Sequence, residues 1–107
     1  MDATKLSIKK GPNVMKKETA VIVTTTHRGV FFGYATDIDG EIIKLRGGRN
    51  CLYWPASNKG FIGLAAMGPL EGSRVGPPAT ISLRDITSVI ECSGEAAKLW
   101  EGAPWSA

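Results

Sequence analysis

Two arginines flanking a glycine pair, with two aromatic residues close behind, are the part of this chain whose types and spacing suit ligand chemistry. Arg46-Gly47-Gly48-Arg49 sets two guanidinium groups beside two backbone amides that no side chain shields, and Tyr53-Trp54 follow within one strand length. Guanidinium forks pair with phosphate oxygens, successive glycine amides form anion-binding nests, and aromatic faces stack on bases. Arg74, in a Gly/Pro-rich stretch, is expected to close over such a site from the far side. The candidate ligand-binding residues are therefore Arg46, Gly47, Gly48, Arg49, Tyr53, Trp54 and Arg74. A plainer reading stands beside this one: Trp54 as core, Arg49 as a surface ion-pair partner and Arg74 as a solvated loop arginine.

Catalytic constellations are not found. His27 is the sole histidine and stands next to Arg28 in a turn. No serine has a nucleophile-elbow setting, and no Cys/His pair is close enough in sequence to suggest a dyad. Asp37, Asp39 and Glu41 alternate around a turn tip and offer oxygen ligands, but their spacing is not that of a calcium loop, and a solvated turn explains them. The sequence assigns no catalytic residue, metal or cofactor, and points to a binding protein, not an enzyme.

The elements that position these residues read as a meander. Residues 19–26 are rich in β-branched side chains and form a first strand, closed by a turn at His27-Arg28-Gly29. A second strand follows over 30–36, where Gly33 permits a bend or bulge. Asp39-Gly40 predicts a type I′ hairpin turn into a third strand over 41–46. Gly47-Gly48 is expected to break that strand, with a fourth short strand over 50–54 ending at Pro55. Residues 57–67 predict a helix capped by Ser57 or Asn58, with Phe61, Leu64, Ala65 and Gly68 on one stripe. Its Gly60 and Gly63 leave a smooth strip for a close backbone approach. After a loop over 70–78, residues 81–83 and 86–92 read as a last strand pair bent at Arg84-Asp85. A short helix over 95–100, capped by Ser93, precedes a tail with Pro104-Trp105. The fold class expected is mainly β, a β-rich α+β domain. It is a small, strongly bent antiparallel barrel of SH3-like or Sm-like type, with one inserted short helix and a short C-terminal helix. Residues 1–18 form a basic arm and 19–107 a single barrel domain.

Charge supports that division. The chain of 107 residues has a formal net charge of +3. Residues 1–17 carry Lys5, Lys9, Lys10, Lys16 and Lys17 against Asp2 alone, so the body of the domain is close to neutral. Such an arm grips nucleic acid by counterion release, or is simply a solvated terminus. Cys51 and Cys92 have no CxxC spacing and read as reduced, packed thiols. The first twenty residues lack the apolar stretch of a signal peptide, and the apolar run over 60–70 is too short to span a bilayer. The expectation is a cytoplasmic protein with no membrane partner. Val30-Phe31-Phe32 puts three apolar residues in a row on one strand, so at least one is expected to point outward and seek a second copy.

Two resemblances add to this. Gly29, Gly33 and Asp39, with the late element Ile81-x-Leu-Arg-Asp-Ile, are similar to the two-part signature of Sm-like proteins. That resemblance implies a five-strand barrel, ring oligomers and RNA binding. Ile43 stands where that family has its base-reading Asn, and Asp85 where its second motif has glycine. The second resemblance covers residues 20–105. The order Gly29-Val30-x-x-Gly33, Gly40-Glu41-x-x-x-Leu45, Arg49-x-x-x-Tyr53-Trp54, Leu64-Ala65, Gly68 and Ile90-x-Cys92 is similar to a family of small phage and prophage proteins. It implies a viral protein made in the cytoplasm of an infected bacterium, and no particular reaction.

Three functional classes follow. The leading one is a non-enzymatic binding protein that captures an anionic, base-containing ligand, such as a host nucleotide signal used in antiviral defence. The second is an Sm-like RNA or single-stranded DNA binder, for which the lysine arm speaks. The third is an interaction module for a host or viral protein, or a virion-structural one, for which the glycine helix and tryptophan tail speak.

Overall fold

A computed structural model describes residues 17–105. The expected arm therefore falls almost wholly outside the described residues. Within them run six strands: β1 (Thr19–Thr25), β2 (Val30–Ala35), β3 (Ile43–Tyr53), β4 (Arg74–Val75), β5 (Ala79–Leu83) and β6 (Ile86–Glu91). Helix α1 (Gly60–Met67) lies between β3 and β4, behind a 3-10 turn at Ala56–Asn58, and α2 (Gly94–Gly102) follows β6. All strand pairs are antiparallel, in the order β4-β3-β2-β1-β6, with β5 also on β3.

The sheet is bent because β3 serves three partners. Its first residues pair with β5, its middle with β2 and its last with β4. The chain from β4 to β5 thus runs back along most of β3, turns at Arg84-Asp85, and continues as β6 along β1. The two late strands expected there form as β5 and β6, bent at Arg84-Asp85, and among the described residues no ladder joins one to the other to close the sheet into a barrel.

Both faces of the bent sheet are covered. On one, Ile22, Val30, Phe32 and Cys51 meet Leu64 and Ala65 of α1 and Ala96, Ala97 and Trp100 of α2. On the other, Val21, Val23, Ile43, Leu45 and Leu83 form a second cluster as the sheet folds over itself. Alternation along β1 feeds both clusters, which is why its centre is β-branched throughout. The same two-sided burial absorbs Val30-Phe31-Phe32. Val30 and Phe32 enter the first cluster and Phe31 packs on the second, so the run needs no second subunit to cover it.

Local chemistry explains the other departures. The β2–β3 connection spans residues 36–42 in place of a two-residue I′ turn. Asp37 caps it from inside, its Oδ1 accepting from the Asp39 amide at 3.0 Å. The His27-Arg28-Gly29 turn forms, with Arg28 at φ 65° and the Thr25 amide donating to the Gly29 carbonyl at 3.0 Å. Helix α1 starts at Gly60 with no side-chain cap, because Asn58 faces inward. Its Nδ2 donates to the Gly68 carbonyl at 2.9 Å, and its Oδ1 accepts from the Leu70 amide at 3.1 Å, which fastens the segment after α1. Gly63 is needed there, since a Cβ would lie 1.5 Å from the Asn58 carbonyl oxygen. The close approach expected at the glycine strip is therefore made by the chain itself. Ser93 caps α2 as its position suggests, accepting from the Ala96 amide at 3.0 Å.

Candidate functional site

The glycine pair bulges β3 without breaking it. Phe32 pairs with Arg49 and Tyr34 with Arg46, so two steps along β2 match three along β3. Gly47, at φ +61°, absorbs the additional residue. In a regular strand, residues three apart point to opposite faces. Here the bulge brings Arg46 and Arg49 to the face that carries Phe32, Tyr34 and the helices, yet into different surroundings.

Arg49 is consumed by the fold. It is 3% exposed, and its guanidinium donates to three backbone carbonyls, those of Gly76, Trp100 and Ala103, each at 2.7 Å. Two of these lie at the end of α2, where a helix leaves its last carbonyls unpaired and where positive charge is favoured. Burial lowers the arginine's pKa from its ordinary value without discharging it. The side chain expected to grip a ligand thus fastens the C-terminal helix and the Gly76 segment to β3.

Arg46 lies in the open, at the far side of an aromatic ladder. Trp100 stacks on Phe32 with centroids 5.3 Å apart, Phe32 meets Tyr34 edge-on at 5.5 Å, and the Arg46 guanidinium lies 4.8 Å from the Tyr34 centroid. Glu18 takes the guanidinium side-on, accepting from Nε and Nη2 at 2.8–2.9 Å. That contact holds the Glu18 carboxyl below its ordinary pKa. The Tyr34 hydroxyl donates to Glu101, and burial first, then this bond, push its pKa up to about 12. Arg46, Glu18, Tyr34 and Lys44, with Thr36 and Thr80, line a cleft of about 340 Å³.

The remaining three candidates meet at the β3–β4 edge. Tyr53 is the ladder partner of Arg74, and both are exposed. Their backbones pair beside a β-bulge, since Cys51 pairs with Val75 and Tyr53 with Arg74, so both side chains leave the sheet at the same edge. Trp54, next in the chain, is half-buried against the first core cluster and supports the edge from beneath. Neither Tyr53 nor Arg74 makes a side-chain hydrogen bond or ion pair among the described residues. The structure therefore splits the seven candidates into a buried clamp (Arg49), a bulge (Gly47-Gly48), a cleft wall (Arg46) and an exposed aromatic edge (Tyr53, Trp54, Arg74).

Sequence reasoning missed Glu18, Tyr34, Lys44 and Glu101. Glu18 stands 28 residues from Arg46 and Glu101 stands 67 from Tyr34, so no local spacing signals either contact. Two larger hollows contain none of the seven candidates: one of about 710 Å³ between the 38–42 segment and the Arg84-Asp85 corner, one of about 420 Å³ between α2 and the 69–75 segment. The thiols of Cys51 and Cys92 are unbridged, and burial pushes them up to about 11 and about 12, so neither is a poised nucleophile. Among the described residues no cluster of His, Cys, Asp and Glu forms a metal cage, and no helix is long and apolar enough to cross a membrane.

Fold and site define a small domain with a six-strand antiparallel sheet and two helices, which presents an aromatic–guanidinium edge and a basic cleft at opposite ends of β3. The chain belongs to the family described as Domain of unknown function (DUF6948), whose model matches residues 18–100, from Glu18 to Trp100. No curated protein and no solved structure matches the chain.

Proposed function

We propose that the protein is a non-enzymatic binding domain for an anionic, base-containing ligand, taken at the Tyr53–Trp54–Arg74 edge. The observation that supports this reading is the pairing of Tyr53 with Arg74, two exposed side chains that the fold itself does not use. The ring offers a stacking face worth about 1–3 kcal/mol per base, and the guanidinium offers donors for the neighbouring phosphate. The edge is open, and stacking on an open ring accepts any base. That favours a short stretch of single-stranded nucleic acid over a host nucleotide signal, which calls for an enclosing pocket. The strand path also has the order of a small SH3-like or Sm-like barrel opened along one seam, which fits such a binder. A phage-encoded role in the bacterial cytoplasm is part of the same proposal and rests on the family resemblance alone.

The test is fluorescence anisotropy with labelled deoxy- and ribo-oligonucleotides, and calorimetry with mononucleotides and cyclic dinucleotides. Tyr53→Ala and Arg74→Ala should each weaken oligonucleotide binding by about 1–3 kcal/mol while leaving the thermal transition near the wild type. Equal binding by all three proteins would remove the edge from the site. A second reading, self-association or a protein-interaction module, is favoured by the outer edges of β5 and β6, which carry no partner strand among the described residues. Light scattering at micromolar concentration separates the two, because the monomer mass is 11.4 kDa.

A further inference from the structure

We infer that the cleft beside Arg46 is a second, separate binding site, for a dianionic phosphate, and that the Glu18 carboxylate occupies it as a stand-in. The carboxylate approaches Arg46 side-on through Nε and Nη2, the same two-point geometry by which arginine takes phosphate. The guanidinium is placed there in advance. It lies over Tyr34, whose ring is fixed edge-on by Phe32 and whose hydroxyl is held by Glu101.

The cleft also holds more donors than a carboxylate uses. Glu18 brings two oxygens and Arg46 engages both, yet Lys44, Thr36 and Thr80 line the same hollow of about 340 Å³. Lys44 forms no ion pair among the described residues. A cation and two hydroxyls are what the further oxygens of a tetrahedral phosphate require, and a planar carboxylate leaves them idle.

Charge decides which anion enters. Arg46 and Lys44 against Glu18 leave the cleft lining with one positive charge in excess, and with two once Glu18 is displaced. A monoanion that displaces Glu18 exchanges like for like. A phosphate monoester or inorganic phosphate near neutral pH brings close to two charges and more oxygens. The latch itself is light: the Arg46 and Glu18 side chains are 61% and 34% exposed, and ion pairs so open to water are readily exchanged. The site shares no residue with the Tyr53–Arg74 edge, so each stands or falls alone.

Two-dimensional amide NMR with inorganic phosphate as the probe, at constant ionic strength set by chloride, tests this. In the wild type, phosphate should shift the resonances of Thr36, Lys44, Arg46 and Thr80. Glu18→Gln should bind about two- to fivefold more tightly, the span covered by losing an exposed ion pair. Arg46→Gln should abolish the shifts, and Lys44→Ala should weaken them should Arg46→Gln disturb the fold. The same spectra report folding directly. Equal or weaker affinity in Glu18→Gln would overturn the stand-in role, and undiminished shifts in both Arg46→Gln and Lys44→Ala would overturn the site. A Tyr53→Ala/Arg74→Ala protein should titrate like the wild type, and loss of phosphate binding there would place the anion at the other end of β3.

Discussion

Replacing Arg49 by alanine is the perturbation that most directly separates a ligand contact from a structural one. Three backbone carbonyls, of Gly76, Trp100 and Ala103, each accept from its guanidinium at 2.7 Å. A hydrogen bond from a charged donor contributes about 1.5–3 kcal/mol, but part of that is offset by the cost of burying the guanidinium. Removing the donor leaves three carbonyls without it, at about 1–3 kcal/mol for each that stays dry, and the part-buried Ala103 site admits water, so the loss comes to about 3–5 kcal/mol. We expect Arg49→Ala to fall in that range, a large share of the roughly 5–15 kcal/mol that stabilises a domain of this size. At about 4–8 °C per kcal/mol, the melting temperature should drop by roughly 12–40 °C. Circular dichroism melts and urea titrations measure it. Hydrogen exchange should quicken first at the end of α2, where two of the three carbonyls lie. Arg49→Lys should fall between the two proteins, since one ammonium cannot span three carbonyls set around a planar fork. A stability within about 1 kcal/mol of the wild type, with ligand binding lost, would refute the clamp and return Arg49 to the binding site.

Gly63→Ala should destabilise by about 3 kcal/mol or more, or prevent folding, because the added methyl would fall 1.5 Å from the Asn58 carbonyl; chemical denaturation checks it, and a neutral result would mean that α1 and the 3-10 turn separate easily. An ultraviolet titration should show a tyrosine ionising near pH 12 that Tyr34→Phe removes. Its folded pKa is raised above the ordinary 10.0, so the stability that its neutral hydroxyl contributes is complete below pH 10 and is lost as pH rises through the folded value.

The sequence by itself determined the elements that depend on local pattern. The β-branched run over 19–25, the turn at Arg28-Gly29 and the Ser93 cap of α2 are set by side-chain branching, backbone freedom and short-range hydrogen bonds, and each sits where its residues predict. What the glycine pair would do was not legible. Gly47-Gly48 permits either a break or a bulge, and only the pairing of β2 and β5 on the two sides of β3 keeps the strand whole. The expected hairpin at Asp39-Gly40 yielded for a similar reason: the ladder ends at Tyr34 and Arg46, which leaves too long a span for a two-residue turn. The fate of the arginines was decided at still longer range. Arg46 and Arg49 carry the same group three residues apart, and nothing near either distinguishes them. The bulge turns both to one face, α2 then covers Arg49 and stops short of Arg46, and so one guanidinium closes a helix end while the other stays in water beside Glu18.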